Sequence, residues 1–183
     1  MNKETSWKII GMVQKLLSSM PYSMSVKTGA FLGTLLWAGS KRKVDEAERR
    51  CVSALQVGVT GARKIVRGSY MNLGRSAAEF LSMAKVRDRL HELVEFHGEE
   101  HLKKALERGK GVILLSAHLG NWEIGAAAVA AKGYPMNAIG TGQRDERITN
   151  LIIEKRADER VTTVSKGFDL KAAIRCLQRG EAL

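Results

Sequence analysis

"GVILLSAHLGNWEIGAAAVAAKG", residues 111–133, decides how the chain is built. Val112 to Leu115 is a short continuous apolar run, of the kind that a strand covered on both faces requires. Ser116, Ala117 and His118 end it, Gly120 and Asn121 turn the chain, and Trp122 and Glu123 open an alanine-rich stretch with helical character that closes at Gly133. Val112 to Ala117 is therefore expected to be a buried strand. His118 then stands at its C-terminal tip, where open α/β sheets place their ligand crevices. On one continuous helix the five-residue step from His118 to Glu123 would set the two side chains about 140° apart. Across a strand–turn–helix corner they can approach.

Outward from this corner the chain alternates. "LHELVEF" (90–96) has strand character, "EEHLKKALERG" (99–109) reads as a helix ended by Gly109, and "PMNAIGT" (135–141) as a strand. "DERITNLIIEKRADER" (145–160) follows as a helix, "VTTVS" (161–165) as a strand and "DLKAAIRCLQRG" (169–180) as a helix. The residues after Gly180 look like the opening of a further strand, so the chain is expected to end inside a fold. This pattern predicts an α/β class: a layered, largely parallel sheet with flanking helices.

The first forty residues have another texture. From Leu16 to Ser40 the only charge is Lys27, and "GAFLGTLLWAG" (29–39) is followed at once by Lys41, Arg42 and Lys43. A membrane-spanning helix wants about 20 apolar residues, and Pro21 and Lys27 interrupt this stretch. A shallow or re-entrant anchor, with Trp7, Tyr22 and Trp37 at the head-group level, fits better than a span; an ordinary apolar helix packed on the domain is the alternative. The expected organisation is an N-terminal helical membrane anchor over residues 1–40 and an α/β domain over 41–183.

The 183 residues allow one substantial core. A net charge of +11 favours anionic partners. Residues 41–75 carry nine Lys and Arg against three Asp and Glu, with Arg63, Lys64, Arg67 and Arg75 set among apolar residues, giving helices with one basic face that is either solvated or meets phosphates. Cys51 and Cys176 fit no metal-ligand spacing and no disulfide framework, which suits a reducing compartment.

A carboxylate bonded to one imidazole nitrogen fixes the tautomer and leaves the other nitrogen to take a proton from a hydroxyl. His118 and Glu123 are thus candidate base and orienting acid for activating an alcohol. No serine or cysteine stands in an elbow context beside them, which favours direct attack by a substrate hydroxyl on an activated acyl group over a covalent acyl-enzyme. Backbone N–H groups at the helix start, around Gly120 and Asn121, can hold an oxyanion or a phosphate. Arg156 falls one turn after Ile148 and Ile152 and wants either an anion or a surface carboxylate. Arg144, at the entrance to the same helix, is a second candidate anion binder.

"GKGVILLSAHLGNWEIGA" (109–126) resembles the signature block of the late acyltransferases of lipid A biosynthesis, the lauroyl and myristoyl transferases with an H-x4-D/E motif. "RKIVRGSYMNLGRSAAEF", "FHGEEHLKKALERGKG", "RDERITNLIIEKR" and "KGFDLKAAIRCLQRGE" extend the likeness over nearly the whole chain. The resemblance implies an enzyme of lipopolysaccharide biosynthesis on the cytoplasmic face of a Gram-negative inner membrane, needing no cofactor and no metal. It would carry a fatty acyl chain from an acyl carrier protein thioester to a hydroxyl of an anionic glucosamine-based lipid. His118 would be the general base, Glu123 its orienting carboxylate, and Arg156 a group that holds a substrate anion. The family pattern continues with a further acidic motif that these residues do not contain.

Three rivals stand beside it. "HGEEH" (97–101) formally matches an H-x-x-E-H zinc pattern, but Gly98 sits where its helix should be established and reads instead as the start of one. A basic nucleic-acid-binding module would use the charge, yet the ten aromatics form no stacking series with the basic residues, and no nucleic acid is expected. An acyltransferase for a glycerol phosphate or glycolipid acceptor is the closer alternative.

Overall fold

The computed structural model describes residues 2–164 and 170–183; the last residue of the strand expected over 161–165 and the first of the helix expected over 169–180 lie outside them. The chain forms two compact units, one of Met12–Ser82 and one of Met1–Gly11 with Met83–Leu183.

The first of these is helical. It holds the second half of α1 (Lys3–Ser19) together with α2 (Tyr22–Gly39), α3 (Lys41–Leu55) and α4 (Val59–Ser82). α2 and α4 pack closely because small residues recur every fourth position. Gly29 faces Gly74 and Ala78, and Gly33 faces the backbone of Tyr70. A Cβ on Gly33 or Gly74 would overlap a carbonyl oxygen of the opposite helix. The buried hydroxyls of Ser25 and Ser82 bond one another at 2.8 Å between the same two helices. Gly33→Ala or Gly74→Ala is therefore expected to destabilise this unit by about 1–3 kcal/mol or more through overpacking. Gly68→Ala, also on α4 but with open space around it, should stabilise by about 0.5–1 kcal/mol. Chemical denaturation of the three variants measures the contrast, and equal effects would remove the close-packing account. No helix among the described residues is long and apolar enough to cross a membrane.

The second unit is mixed α/β. After two 3-10 turns come α5 (Leu90–Leu93), α6 (Glu99–Leu106), α7 (Trp122–Ala131), β1 (Met136–Ile139), α8 (Glu146–Asp158), β2 (Val161–Val164) and α9 (Leu170–Gln178). β1 and β2 run parallel, Met136 opposite Val161 and Ile139 opposite Val164. Beyond β1 the parallel pairing continues through Glu181–Leu183. Ala182 N–H donates to Pro135 O (2.9 Å) and Asn137 N–H to Ala182 O (2.8 Å). On its other side Val112 N–H donates to Glu181 O, and Leu114 N–H to Leu183 O. Spatial order is thus 112–114, 181–183, β1, β2. The apolar residues expected to open a strand after Gly180 do pair on both sides, and Ala182 is fully buried.

Three expectations need correction. The layered sheet is smaller than the alternation predicts, with two regular strands and two bridged segments among the described residues. Residues 90–96 do not form a strand: Leu90, Leu93 and Val94 are spaced for a helical turn, α5, whose Val94 N–H bonds Leu90 O. Val112 to Ala117 is extended but is not covered on both faces. Its side chains alternate, Val112 and Leu114 partly covered, Ile113 and Leu115 66% and 98% exposed. The ladder reaches only Leu114, so the run behaves as a half-covered edge, with one face turned to solvent.

Candidate active site

Beyond the edge segment, Leu119 N–H turns back to Ala117 O, and Gly120 takes a left-handed φ of +64° that a side chain would strain. Asn121 caps α7: its side-chain oxygen accepts from the N–H groups of Glu123 (3.2 Å) and Ile124 (3.4 Å). The predicted corner is present, and it presents His118, Trp122 and Glu123 from one short stretch of chain.

The side chains are not arranged as the sequence suggests. His118 makes no hydrogen bond with Glu123. Its exposed ring lies against that of Trp122, centroids 4.6 Å apart and planes tilted by 59°. Trp122 Nε1–H donates to Glu123 Oε1 at 3.1 Å. The main partner of Glu123 is Arg156, whose Nε donates to Oε2 (2.8 Å) and whose second guanidinium nitrogen donates to Oε1 (2.7 Å). The side chains of this fork are only 11% and 16% exposed, so the pair is largely desolvated and its geometry is that of a strong charge-assisted bond. Imidazole, indole, carboxylate and guanidinium thus stand in series, His118–Trp122–Glu123–Arg156.

Arg156 reaches this position from α8, passing the end of β1 at Gly140, where a Cβ would crowd its guanidinium at 3.0 Å. A small void of about 20 Å³, enough for one water molecule, lies beside it among Gly140, Thr149, Ile152 and Thr163. The N-terminus of α8 is set by Asp145, whose carboxylate accepts from the backbone N–H of Arg147 and from its guanidinium. The Arg147 side chain holds the Asp145 carboxyl below the usual carboxylate range. A lowered pKa contributes stability above the ordinary value of about 4, and that contribution is lost as pH falls through the lowered one. Amide protection factors at the start of α8, the exchange rates corrected for their intrinsic pH dependence, should therefore fall in that acidic window, and much less so in Asp145→Asn, which keeps the cap acceptor without the titration. Equal acid sensitivity in both proteins would place its origin elsewhere.

Among the six residues singled out from sequence, the structure joins Glu123 to Arg156 and ties Asn121 to Glu123 through the cap. His118 joins them by way of Trp122, Gly120 shapes the turn, and Arg144 is exposed in the loop before α8 without a bond to the others. Trp122 and Gly140 carried no role in the sequence analysis. The signal for Trp122 was its place beside Glu123; for Gly140 there was none. At the other end of α7 a separate cleft of about 300 Å³ is lined by Leu90, Phe96, Ala127, Ala131 and the buried Glu159, which Arg87 holds bidentately. In "HGEEH", α6 begins at Glu99 and His97 precedes it, so the two imidazoles do not share one helix.

A family model described as bacterial lipid A biosynthesis acyltransferase matches residues 3–183. No curated protein matches the chain.

Proposed function

Because the chain belongs to the bacterial lipid A biosynthesis acyltransferases and is therefore an acyltransferase, we propose that His118 is its general base and that the acceptor hydroxyl attacks the acyl donor directly. The donor is an acyl carrier protein thioester and the acceptor a hydroxyl of an anionic, glucosamine-based lipid. The hydroxyl oxygen forms a bond to the thioester carbonyl carbon as its proton passes to a ring nitrogen of His118. Backbone N–H groups at the Gly120–Trp122 turn face the developing oxyanion. Collapse breaks the carbon–sulfur bond, and the leaving thiolate takes the proton back from the imidazolium, so the ester and the free carrier thiol leave with all protons accounted for.

The observation that carries this proposal is the series at the corner. An exposed imidazole lies against an indole that a largely buried carboxylate–guanidinium pair holds. In this scheme Glu123 acts as a positioning residue through Trp122, and Arg156 fixes Glu123. Arg156 then serves the substrate anion only indirectly, and Arg144 is the freer cation for it. Leu115 and Leu119, 98% and 85% exposed on either side of His118, supply the apolar surroundings that an acyl donor and a lipid acceptor need.

The basic charge supports an acidic carrier and an anionic membrane. We place the enzyme at the cytoplasmic face of the inner membrane, held by the apolar N-terminal helices without a span. The test incubates the protein with an acyl-carrier-protein thioester and a phosphorylated, glucosamine-based lipid A precursor. New ester on the lipid, with no acyl mass accumulating on the protein, is the expected result. Acyl mass on the protein would overturn direct attack, and hydrolysis without ester would overturn the acceptor class.

A further inference from the structure

The basic helix α4 carries a feature that acyl transfer does not use. Arg63 and Arg67 both lie over the ring of Trp37, their guanidinium carbons 5.4 and 5.7 Å from its centroid. They are one helical turn apart, a spacing at which like charges repel. Neither has a carboxylate or carbonyl partner among the described residues, although Glu46, Glu79 and other acids lie in the same unit. The packing of α2 on α4 explains how they meet. Gly29 and Gly33 face Ala78, Gly74 and Tyr70, and the next position in the α2 series, Trp37, faces the next positions toward the start of α4, Arg67 and Arg63. The two helices thus end their close contact on an indole capped by two charges. Lys41, Arg42 and Lys43 follow immediately at the start of α3.

Two guanidinium groups over one ring, without a carboxylate or carbonyl partner among the described residues, have donor N–H groups to offer the oxygens of a phosphate. Apolar side chains of the same two helices are open to solvent: Phe31, Leu35 and Leu36 on α2, Ile65 and Leu73 on α4. A nucleic acid offers phosphates without an apolar layer beside them. A bilayer offers both, at adjacent depths.

We propose that Trp37, Arg63 and Arg67 form a head-group site for the phosphate of an anionic phospholipid at the bilayer surface. This inference rests on the reading that the helical unit meets a membrane. It does not depend on the chemistry at His118.

Co-sedimentation with phosphatidylcholine vesicles, alone or containing about one-fifth phosphatidylglycerol, tests it. Wild-type protein should partition to the anionic vesicles. Arg63→Gln/Arg67→Gln should lose at least about tenfold more affinity for them than Lys64→Gln/Arg75→Gln, which removes the same charge elsewhere on α4. Equal losses in the two double variants would overturn the site while leaving membrane association in place. Failure of the wild-type protein to bind any vesicle would overturn the membrane reading itself. Tighter binding to a single-stranded RNA oligomer than to vesicles would also overturn the site. Should the Gln pair fail to fold by circular dichroism, Arg63→Lys/Arg67→Lys, which keeps the charge and loses the fork, decides by the same comparison.

Discussion

Arg156→Met is expected to cost about 3–5 kcal/mol of stability, because it leaves the carboxylate of Glu123 largely buried without its counter-charge. The side chains of the pair are 11% and 16% exposed, so water replaces the lost guanidinium poorly. Glu123→Gln alone should be costly for the mirror-image reason, a stranded guanidinium. Combined, Glu123→Gln/Arg156→Met removes both charges and should recover much of the stability lost by either single variant. Activity should not recover with it. If the pair holds Trp122, and Trp122 holds the ring of His118, the stable double variant still has a loosened indole and a mis-set base. Thermal unfolding and kcat/KM for the three variants separate these effects. A double variant that is both stable and fully active would show the pair to be scaffolding alone.

The sequence analysis and the structure agree where local chemistry decides the outcome. The turn at Gly120 and Asn121, the α7 helix behind it and parallel strands within 135–141 and 161–165 are expected from turn residues and apolar periodicity, and are found; the Asn121 cap and the pairing of 136–139 with 161–164 are added by the structure. The strand expected over 90–96 fails because four apolar residues in a seven-residue window satisfy both periods, and helical contacts at Leu90 prevailed. The run at 112–117 shows a different limit. An apolar composition reports that a strand is suited to burial, while coverage depends on which segments lie beside it, and here Glu181–Leu183 flank only its first residues.

At the site, the members are legible from residue type but the bonds between them are not. His118, Glu123 and Arg156 are each visible as residue types suited to the chemistry. That Arg156 grips Glu123 across 33 positions depends on how α8 passes Gly140, which no spacing encodes. Trp122 was hidden for a plainer reason: a tryptophan at a helix start is usually read as packing, and its indole N–H mattered only once the Glu123 carboxylate was seen within reach.

His118→Ala is expected to lower acyl transfer by about 10²–10⁴-fold, the range that a positioned general base supplies. The ring is exposed and lies against that of Trp122. Its removal leaves no buried group unpaired, so stability should change little, and a fall in rate would report on chemistry. His118→Gln, which keeps a polar side chain but accepts no proton at neutral pH, should lose nearly as much. The decisive measurement is the initial rate of ester formation on the lipid acceptor by wild-type protein and by His118→Ala at equal folded concentration. A loss of two orders of magnitude or more with an unchanged melting temperature is the predicted result, and a variant retaining most of the wild-type rate would contradict the assignment of the base.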